Sequence, residues 1–260
     1  MKKYSKSNPI ILGLAGKAGS GKTSVAEALR PKGSMQTTSS GIIWEHIFHA
    51  LPLYELASAK KNIKGFNSDS RKLYSIHEIL FEIYGKSALG NIPDYKTFVE
   101  KVKKIYELSI DSESSKPRSF LQKAGDICRD GYPECFCHWV TLKCMDIYRK
   151  NILEFSKDDM DIDTPVCIMV SDVRFVNEAK SILKQPNGIV VSFEASNDTL
   201  KDRVFKRDGY YMSDEHLNHD SENQINLVKE LSTFIIDTDK LNIEDQTKAT
   251  LNIIKNYIEQ

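Results

Sequence analysis

Short runs of apolar residues recur along the chain, and longer polar or amphipathic stretches separate them. Four runs have the length and the β-branched content of strands buried on both faces, at 10–15, 166–170, 188–193 and 233–236. Helical patterns follow these runs, at 23–30, 178–183, 200–208 and 243–258. Buried strands that alternate with helices predict an α/β fold, in which a parallel β-sheet is flanked by helices.

A long and mostly helical region lies between the first of these strands and the later ones. The segment 42–48 fits a strand or a helix equally well, whereas 52–61 and most of 62–106 favour helix. A second helical region, 118–150, follows the charged, serine-rich junction 109–117 and is broken at Asp130 to Pro133. We therefore predict a single domain, with a core at about 8–50 and 164–260 and a helical insertion at about 51–155.

A glycine-rich turn joins the first predicted strand to the first predicted helix. Residues 16–23, Gly-Lys-Ala-Gly-Ser-Gly-Lys-Thr, match the phosphate-binding Walker A pattern G-x-x-x-x-G-K-[ST]. The glycines allow backbone N–H groups to surround phosphate oxygens, and the helix directs its positive end at the same anion. Lys22 can reach the β- and γ-phosphates of a nucleotide, and the Thr23 hydroxyl can ligate Mg²⁺.

The same pattern could be an ordinary glycine-rich turn between a strand and a helix, but that interpretation leaves the lysine and the threonine unexplained. We therefore predict a nucleotide site that comprises Gly16, Lys17, Ala18, Gly19, Ser20, Gly21, Lys22, Thr23 and Ser24.

Charged residues near the later strands supply further candidates. Asp172 follows a buried strand, at the edge where parallel sheets gather ligands, so it can hold Mg²⁺ or orient an acceptor. As an alternative, Asp172 could cap the next helix. Arg203 and Arg207 stand four positions apart on one helix and can point at one anion, although a solvated basic face has the same spacing.

The predicted insertion offers arginines for a second phosphate. Arg118 and Arg129 flank a helix that also carries Gln122. The planar guanidinium group suits phosphate because it donates two parallel hydrogen bonds.

Two groups of residues have the chemistry of zinc ligands. His216 and His219 lie in an acidic, polar stretch, and a polar lid explains them as well as a metal site does. The second group has separations of seven, two and seven residues, which fit no usual zinc spacing; it comprises Cys128, Cys135, Cys137 and Cys144, with His138 nearby. We interpret these cysteines as small core residues.

Composition narrows the class of function. The 36 lysines and arginines balance 36 aspartates and glutamates, which disfavours a general binder of nucleic acid polymers but allows a local anion site. The chain has no apolar run of 18 residues and no signal-peptide core, and its five cysteines are an odd number. We expect a cytoplasmic protein that makes no use of a membrane. The absence of Asn-Lys-x-Asp disfavours a GTPase.

Four stretches make the sequence similar to the phage-type deoxynucleoside monophosphate kinases, a branch of the P-loop nucleotide kinases. These stretches are 16–23, 118–122 with Gly125, 171–178, and 203–207 with 219–222. The stretch Asp-Val-Arg-Phe-x-Asn-Glu at 172–178 is the most specific of them. The resemblance implies a P-loop kinase fold, ATP as phosphoryl donor, Mg²⁺, and a nucleoside monophosphate as acceptor.

The resemblance also implies roles for individual residues. Arg118 and Gln122 would help to build the acceptor site within the insertion, with Asp172, Arg174 and Glu178 near it. Arg203 and Arg207 would belong to a lid at about 200–224 that closes over the phosphates.

The expected function is ATP-dependent phosphoryl transfer to a (deoxy)nucleoside monophosphate. Lys22, Asp172, Arg203 and Arg207 are the candidate catalytic residues, Thr23 and Asp172 the candidate metal ligands, and Arg118, Gln122, Arg129, Arg174 and Glu178 the candidate acceptor-binding residues. Two alternatives stay open, a kinase of another phosphorylated metabolite, such as a phosphomevalonate-like or cofactor precursor, and an inactive nucleotide-binding relative. The oligomeric state is left open between a monomer and a homodimer.

Overall fold

The computed structural model describes residues 3–30, 41–65, 67–85, 93–110, 117–155, 164–209 and 224–260. The chain divides into two compact units. The first comprises Met1–Phe48 and Cys144–Gln260, and the second comprises His49–Lys143.

The first unit is built on a five-stranded sheet in which every pairing is parallel. The strands are β1 (Ile10–Ala15), β2 (Ile43–Ile47), β3 (Val166–Val173), β4 (Asn187–Glu194) and β5 (Phe234–Asp237), in the spatial order β2-β3-β1-β4-β5. This sheet confirms the predicted α/β class and assigns the ambiguous segment 42–48 to a strand. The strands β2 and β3 lie on one side of β1, and β4 and β5 lie on the other. The strand order therefore reverses its direction next to β1, and α/β sheets bind ligands at the carboxyl ends of the strands beside such a switch point.

Helices cover the sheet of the first unit. They are α1 (Lys22–Leu29), α7 (Val176–Lys184), α8 (Asn197–Asp208), α9 (Ile225–Leu231) and α10 (Ile243–Ile258). Alternate residues of β1 point to opposite faces. Leu12 joins an apolar cluster with Val25 of α1 and Ile254 of α10, whereas Gly13 lies against Ile182 of α7. The central strand is therefore buried on both faces, as its continuous apolar run predicts.

The second unit is helical. Its helices are α2 (Leu51–Asn62), α3 (Ser68–Gly85), α4 (Tyr95–Glu107), α5 (Arg118–Arg129) and the first part of α6 (Cys135–Phe155). The predicted break at residues 130–133 is confirmed, because α5 ends at Arg129 and α6 begins at Cys135.

Two lysines of the second unit satisfy carbonyl groups at helix ends. Lys101, 3% exposed, donates from Nζ to the carbonyl oxygens of Ile127 (2.5 Å) and Asp130 (2.7 Å) at the end of α5. Lys60 donates in the same way to the last carbonyls of α4, which include that of Ile105 at 3.3 Å. These bonds replace the water that the terminal carbonyls of a helix would otherwise need. None of the helices described here has the length and the apolar character needed to cross a membrane.

Candidate functional site

The glycine-rich turn predicted from the sequence forms a tight loop between the carboxyl end of β1 and the first residue of α1, Lys22. Three of its glycines have positive φ, at 145° for Gly16, 86° for Gly19 and 94° for Gly21. Within the loop, the N–H of Ser20 donates to the carbonyl oxygen of Lys17 at 3.2 Å. The loop leads directly into the amino end of a helix, whose first N–H groups have no partner within the helix and favour an anion.

The loop packs so closely on its surroundings that a Cβ atom at any of the three left-handed glycines would overlap a neighbouring group, and Gly16 and Gly21 show the closest approaches. A Cβ atom at Gly16 would lie 2.6 Å from the carbonyl oxygen of Phe193 and 2.6 Å from the Ser20 hydroxyl oxygen. A Cβ atom at Gly21 would overlap the side-chain amide of Gln246. The glycines are therefore required both by the left-handed backbone and by the close approach of the neighbouring elements.

Two polar side chains of the loop are buried. Lys22 is 5% exposed and donates from Nζ to the carbonyl oxygen of Lys17 at 3.0 Å. Ser20 is 1% exposed, and among the described residues no group forms a hydrogen bond with its hydroxyl oxygen. Thr23 and Ser24 are exposed on the first turn of α1. The loop thus brings an ammonium group, hydroxyl groups and helix N–H groups to one place, which is the donor set an anion requires.

Asp172 lies inside β3 rather than after it, because β3 continues to Val173. Val173 pairs with Ala15, the residue before the glycine-rich loop, so Asp172 lies next to the start of that loop in the sheet. The alternative interpretation of Asp172 as a helix cap is wrong, because the residue that precedes α7 is Phe175.

Glu178 performs the capping that Asp172 does not. Its carboxylate accepts hydrogen bonds from the backbone N–H groups of Arg174 (2.9 Å) and Phe175 (3.1 Å), and the residue is 2% exposed. These contacts give Glu178 a structural role at the start of α7, and they place Arg174, which is half-buried, on the turn between β3 and α7.

A histidine that the sequence patterns did not single out lies beside Asp172. His46 is on β2, and its Nε2 is 2.6 Å from the hydroxyl oxygen of Ser171 on β3. Burial lowers the pKa of His46, and the nearby carboxylates of Asp172 and Glu27 partly oppose this effect. Sequence reasoning missed His46 because the segment 42–48 was not assigned to a strand, and only the sheet order places it next to β3.

The structure directs Arg203 and Arg207 to different partners. Arg203 donates to Thr238 at the end of β5, to the hydroxyl oxygen at 3.1 Å and to the carbonyl oxygen at 2.6 Å. Arg207 binds the neighbouring carboxylate of Asp208 through two bonds of 2.7 Å. The expectation that both guanidinium groups point at one anion therefore does not describe this conformation, since each of them binds a different acceptor within the protein.

The acceptor candidates of the insertion lie on one helix of the second unit. Arg118 is the first residue of α5 and Gln122 follows one turn later, so their side chains share a face. Arg129 ends the same helix, roughly 16 Å from Arg118 along the helix axis. Its guanidinium group lies 4.7 Å from the centre of the Phe136 ring, where cation and ring attract each other. Arg118 and Gln122 thus form a pair, whereas Arg129 stands apart from them.

The cysteine group gathers no metal site in the part of the chain that is described. All five cysteines are buried and none forms a disulfide bond, and the described residues contain no group of three or more histidine, cysteine or acidic side chains arranged for a metal. His216, His219 and most of the predicted lid belong to 210–223, outside the described residues.

We expect the free energy of unfolding to fall as the pH rises above about 9, partly because of Cys128. Burial raises the pKa of this thiol to about 12 from its ordinary value of 9.0. Between these values the folded protein keeps the proton and the unfolded chain releases it, so stability present below pH 9 is lost by up to about 1.4 kcal/mol per pH unit. Urea denaturation from pH 8 to 10.5 measures the slope. The Cys128→Ala variant should have a flatter slope, and an unchanged slope would contradict the assignment to Cys128.

The fold and the loop together define an α/β protein with a candidate anion-binding loop at the carboxyl end of its central strand. No known family model and no curated protein matches the chain. A solved structure that it resembles is the crystal structure of TT1252 from Thermus thermophilus, with a TM-score of 0.41 and 16% sequence identity over 96% of this chain and 98% of that one. A likeness at this level carries neither fold nor function to this chain.

Proposed function

We propose that the protein is an ATP- and Mg²⁺-dependent kinase that phosphorylates a (deoxy)nucleoside monophosphate to the diphosphate. The observation that carries the proposal is the loop 16–23, with three left-handed glycines, a buried Lys22 and the amino end of α1 directly after it. The spacing of the motif and the geometry of the loop both support the proposal. Its place at the carboxyl end of the central strand is where an α/β sheet binds a nucleotide.

The loop supplies the donor site for ATP. The Lys22 ammonium would leave the Lys17 carbonyl oxygen, 3.0 Å away, and bind oxygens of the β- and γ-phosphates. The Ser20 hydroxyl, which is buried and has no hydrogen-bond partner among the described residues, would donate to a phosphate oxygen. Hydrogen bonds from Lys22 and Ser20 to charged phosphate oxygens are stronger than the contacts these groups make without ATP, which favours ATP binding.

Oxygen ligands for Mg²⁺ are available beside the loop. The Thr23 hydroxyl is exposed on the first turn of α1, and Asp172 is a carboxylate on the neighbouring strand. Both are hard oxygen donors, which fit Mg²⁺. Thr23 and Asp172 would hold the ion, and the ion would neutralise charge on the phosphates when bound.

Transfer to a phosphate oxygen requires no strong general base, because the acceptor phosphate is already ionised at neutral pH. The protein contributes position and charge neutralisation. Arg118 and Gln122, one turn apart on α5, would bind the acceptor phosphate, as the resemblance implies.

The two arginines of α8 would stabilise the charge that spreads over the transferred group. The Arg207 side chain is 43% exposed and that of its partner Asp208 is 11% exposed, so a phosphate that binds Arg207 must offset the loss of the Asp208 contact. Arg203 would act from its place on Thr238, at the carboxyl end of β5.

A panel of acceptors tests the proposal. Purified protein is incubated with ATP, Mg²⁺ and one acceptor at a time, and release of ADP is measured. The panel contains ribo- and deoxyribonucleoside monophosphates with each base, phosphomevalonate-like monophosphates, and a control without acceptor. We expect turnover that depends on a nucleoside monophosphate. Turnover with a different phosphorylated metabolite would replace the proposed acceptor, ATP binding without any turnover would indicate an inactive relative, and failure to bind ATP would overturn the proposal.

A further inference from the structure

Gln246 is a buried amide on the first turn of α10 whose two polar atoms have unequal surroundings. The residue is 1% exposed, and its Nε2 donates to the carbonyl oxygen of Leu241 at 2.9 Å, in the connection between β5 and α10. Its Oε1 is buried, and among the described residues no donor forms a hydrogen bond with it. Burying an oxygen in this way is costly, so the arrangement calls for an explanation.

The buried oxygen lies against the glycine-rich loop. A Cβ atom added to Gly21 would meet Oε1 of Gln246 before any other atom, which shows that the amide oxygen faces the Gly21 Cα. Gly21 has φ of 94° and immediately precedes Lys22, the first residue of α1. The side chain of Gln246 therefore forms the wall behind the residue that sets the direction of the first N–H groups of the helix.

We propose that Gln246 is a positioning residue, which holds the loop 16–23 in its phosphate-binding conformation through Gly21. The inference rests on the proposed function of this loop. A loop with three glycines has wide backbone freedom, and losing that freedom on binding weakens affinity unless a neighbour restricts the loop beforehand. Gln246 is suited to this task because the bond to Leu241 fixes the amide, and the amide then contacts Gly21.

The neutral charge of Gln246 is also suited to its position. An amide oxygen makes a weak contact with the Cα hydrogens of Gly21 and adds no net charge near an anion. A carboxylate of the same shape would place a negative charge beside the loop and repel the phosphates. Side-chain volume and charge can therefore be varied separately at this one position.

Binding of ATP and of inorganic tripolyphosphate, measured by calorimetry, tests the inference in the full-length protein. We expect Gln246→Met, which keeps the volume, to raise Kd for both ligands about tenfold, and the isosteric Gln246→Glu to raise it further. Tripolyphosphate isolates the contribution of the loop from that of the base.

The matched control is Thr250→Val, one turn further along α10. Thr250 is fully buried, and its hydroxyl donates to the carbonyl oxygen of Gln246 at 2.9 Å, so this variant also loses one buried hydrogen bond without touching the loop. We expect Thr250→Val to lower the melting temperature as much as Gln246→Met does and to leave both Kd values unchanged. Amide hydrogen exchange of residues 16–22 without ligand should accelerate only in the Gln246 variants.

The outcomes separate this inference from the function on which it rests. Wild-type affinity and wild-type exchange in Gln246→Met would overturn the positioning role, while tight binding by the wild type would leave the proposed function in place. If Gln246→Met and Thr250→Val lost equal affinity, general destabilisation would explain the loss, and the positioning role of Gln246 would be wrong. If the wild type bound neither ligand, the proposed function and the inference would both be wrong.

Discussion

Replacing Lys22 with alanine is expected to abolish phosphoryl transfer and to leave the protein folded. The Lys22 ammonium is the positive charge of the loop closest to the helix end, and it donates to the Lys17 carbonyl oxygen from a position that is 5% exposed. Without it the β- and γ-phosphates lose a charged donor in a partly dry site, which costs about 10³-fold or more in kcat. Release of ADP with the acceptor found in the panel measures the loss, and circular dichroism and thermal melting report the fold.

Two further variants serve as controls for Lys22→Ala. Lys22→Met retains the apolar stem and should be as inactive as Lys22→Ala, since the ammonium rather than the side-chain volume carries the effect. Lys180→Ala removes an exposed lysine of α7 and should retain wild-type turnover. Wild-type-like turnover in Lys22→Ala would contradict the proposed mechanism.

The second large effect is expected from Gly16→Ala, which should destabilise the protein and weaken ATP binding together. The new Cβ atom would come within 2.6 Å of the Phe193 carbonyl oxygen, and the backbone φ of 145° disfavours any side chain. Strain and overlap together should lower the free energy of unfolding by about 2–4 kcal/mol. Urea denaturation measures this change, and calorimetry measures the affinity for ATP.

Gly131→Ala is the matched control for Gly16→Ala. Gly131 also has a positive φ, at 72°, but a Cβ atom there would have nothing within 4 Å. The free energy of unfolding of Gly131→Ala should therefore fall by only about 1 kcal/mol, from the backbone conformation alone, and the variant should bind ATP normally. If both variants lost equal stability, backbone conformation alone would explain the glycine at position 16, and the close packing of the loop on β4 would not.

Much of the local structure could be predicted because it depends on residues that are near one another in the chain. The run 10–15 is the strand β1, and the amphipathic pattern 243–258 is the helix α10, with the same bounds. A strand buried on both faces must be apolar throughout, and a helix that packs on one side must be apolar every three or four residues. The glycine-rich motif was recognisable for the same reason, since its spacing reflects contacts within a single turn.

Partners that are distant in the chain could not be predicted in this way. The spacing of Arg203 and Arg207 indicates a shared helix face, but Thr238, which lies 35 positions from Arg203, determines where that guanidinium group points. Asp172 looked like a residue beyond the end of a strand, yet pairing of β3 with β1 extends the strand past it. In both cases the outcome depends on an acceptor or a pairing partner that a local pattern does not contain.

By itself, the sequence determined the α/β class, most helices and strands, and the loop with its glycines, Lys22 and Thr23. Only the tertiary structure decided that 42–48 is a strand, that His46 lies beside Ser171, and that Gln246 stands behind Gly21. The physical reason is the range of the forces involved. Backbone geometry and hydrophobic periodicity act over a few residues. The contact between the Gln246 amide and Gly21 instead depends on the packing of α10 beside the start of α1, and these two helices are more than 200 positions apart in the chain.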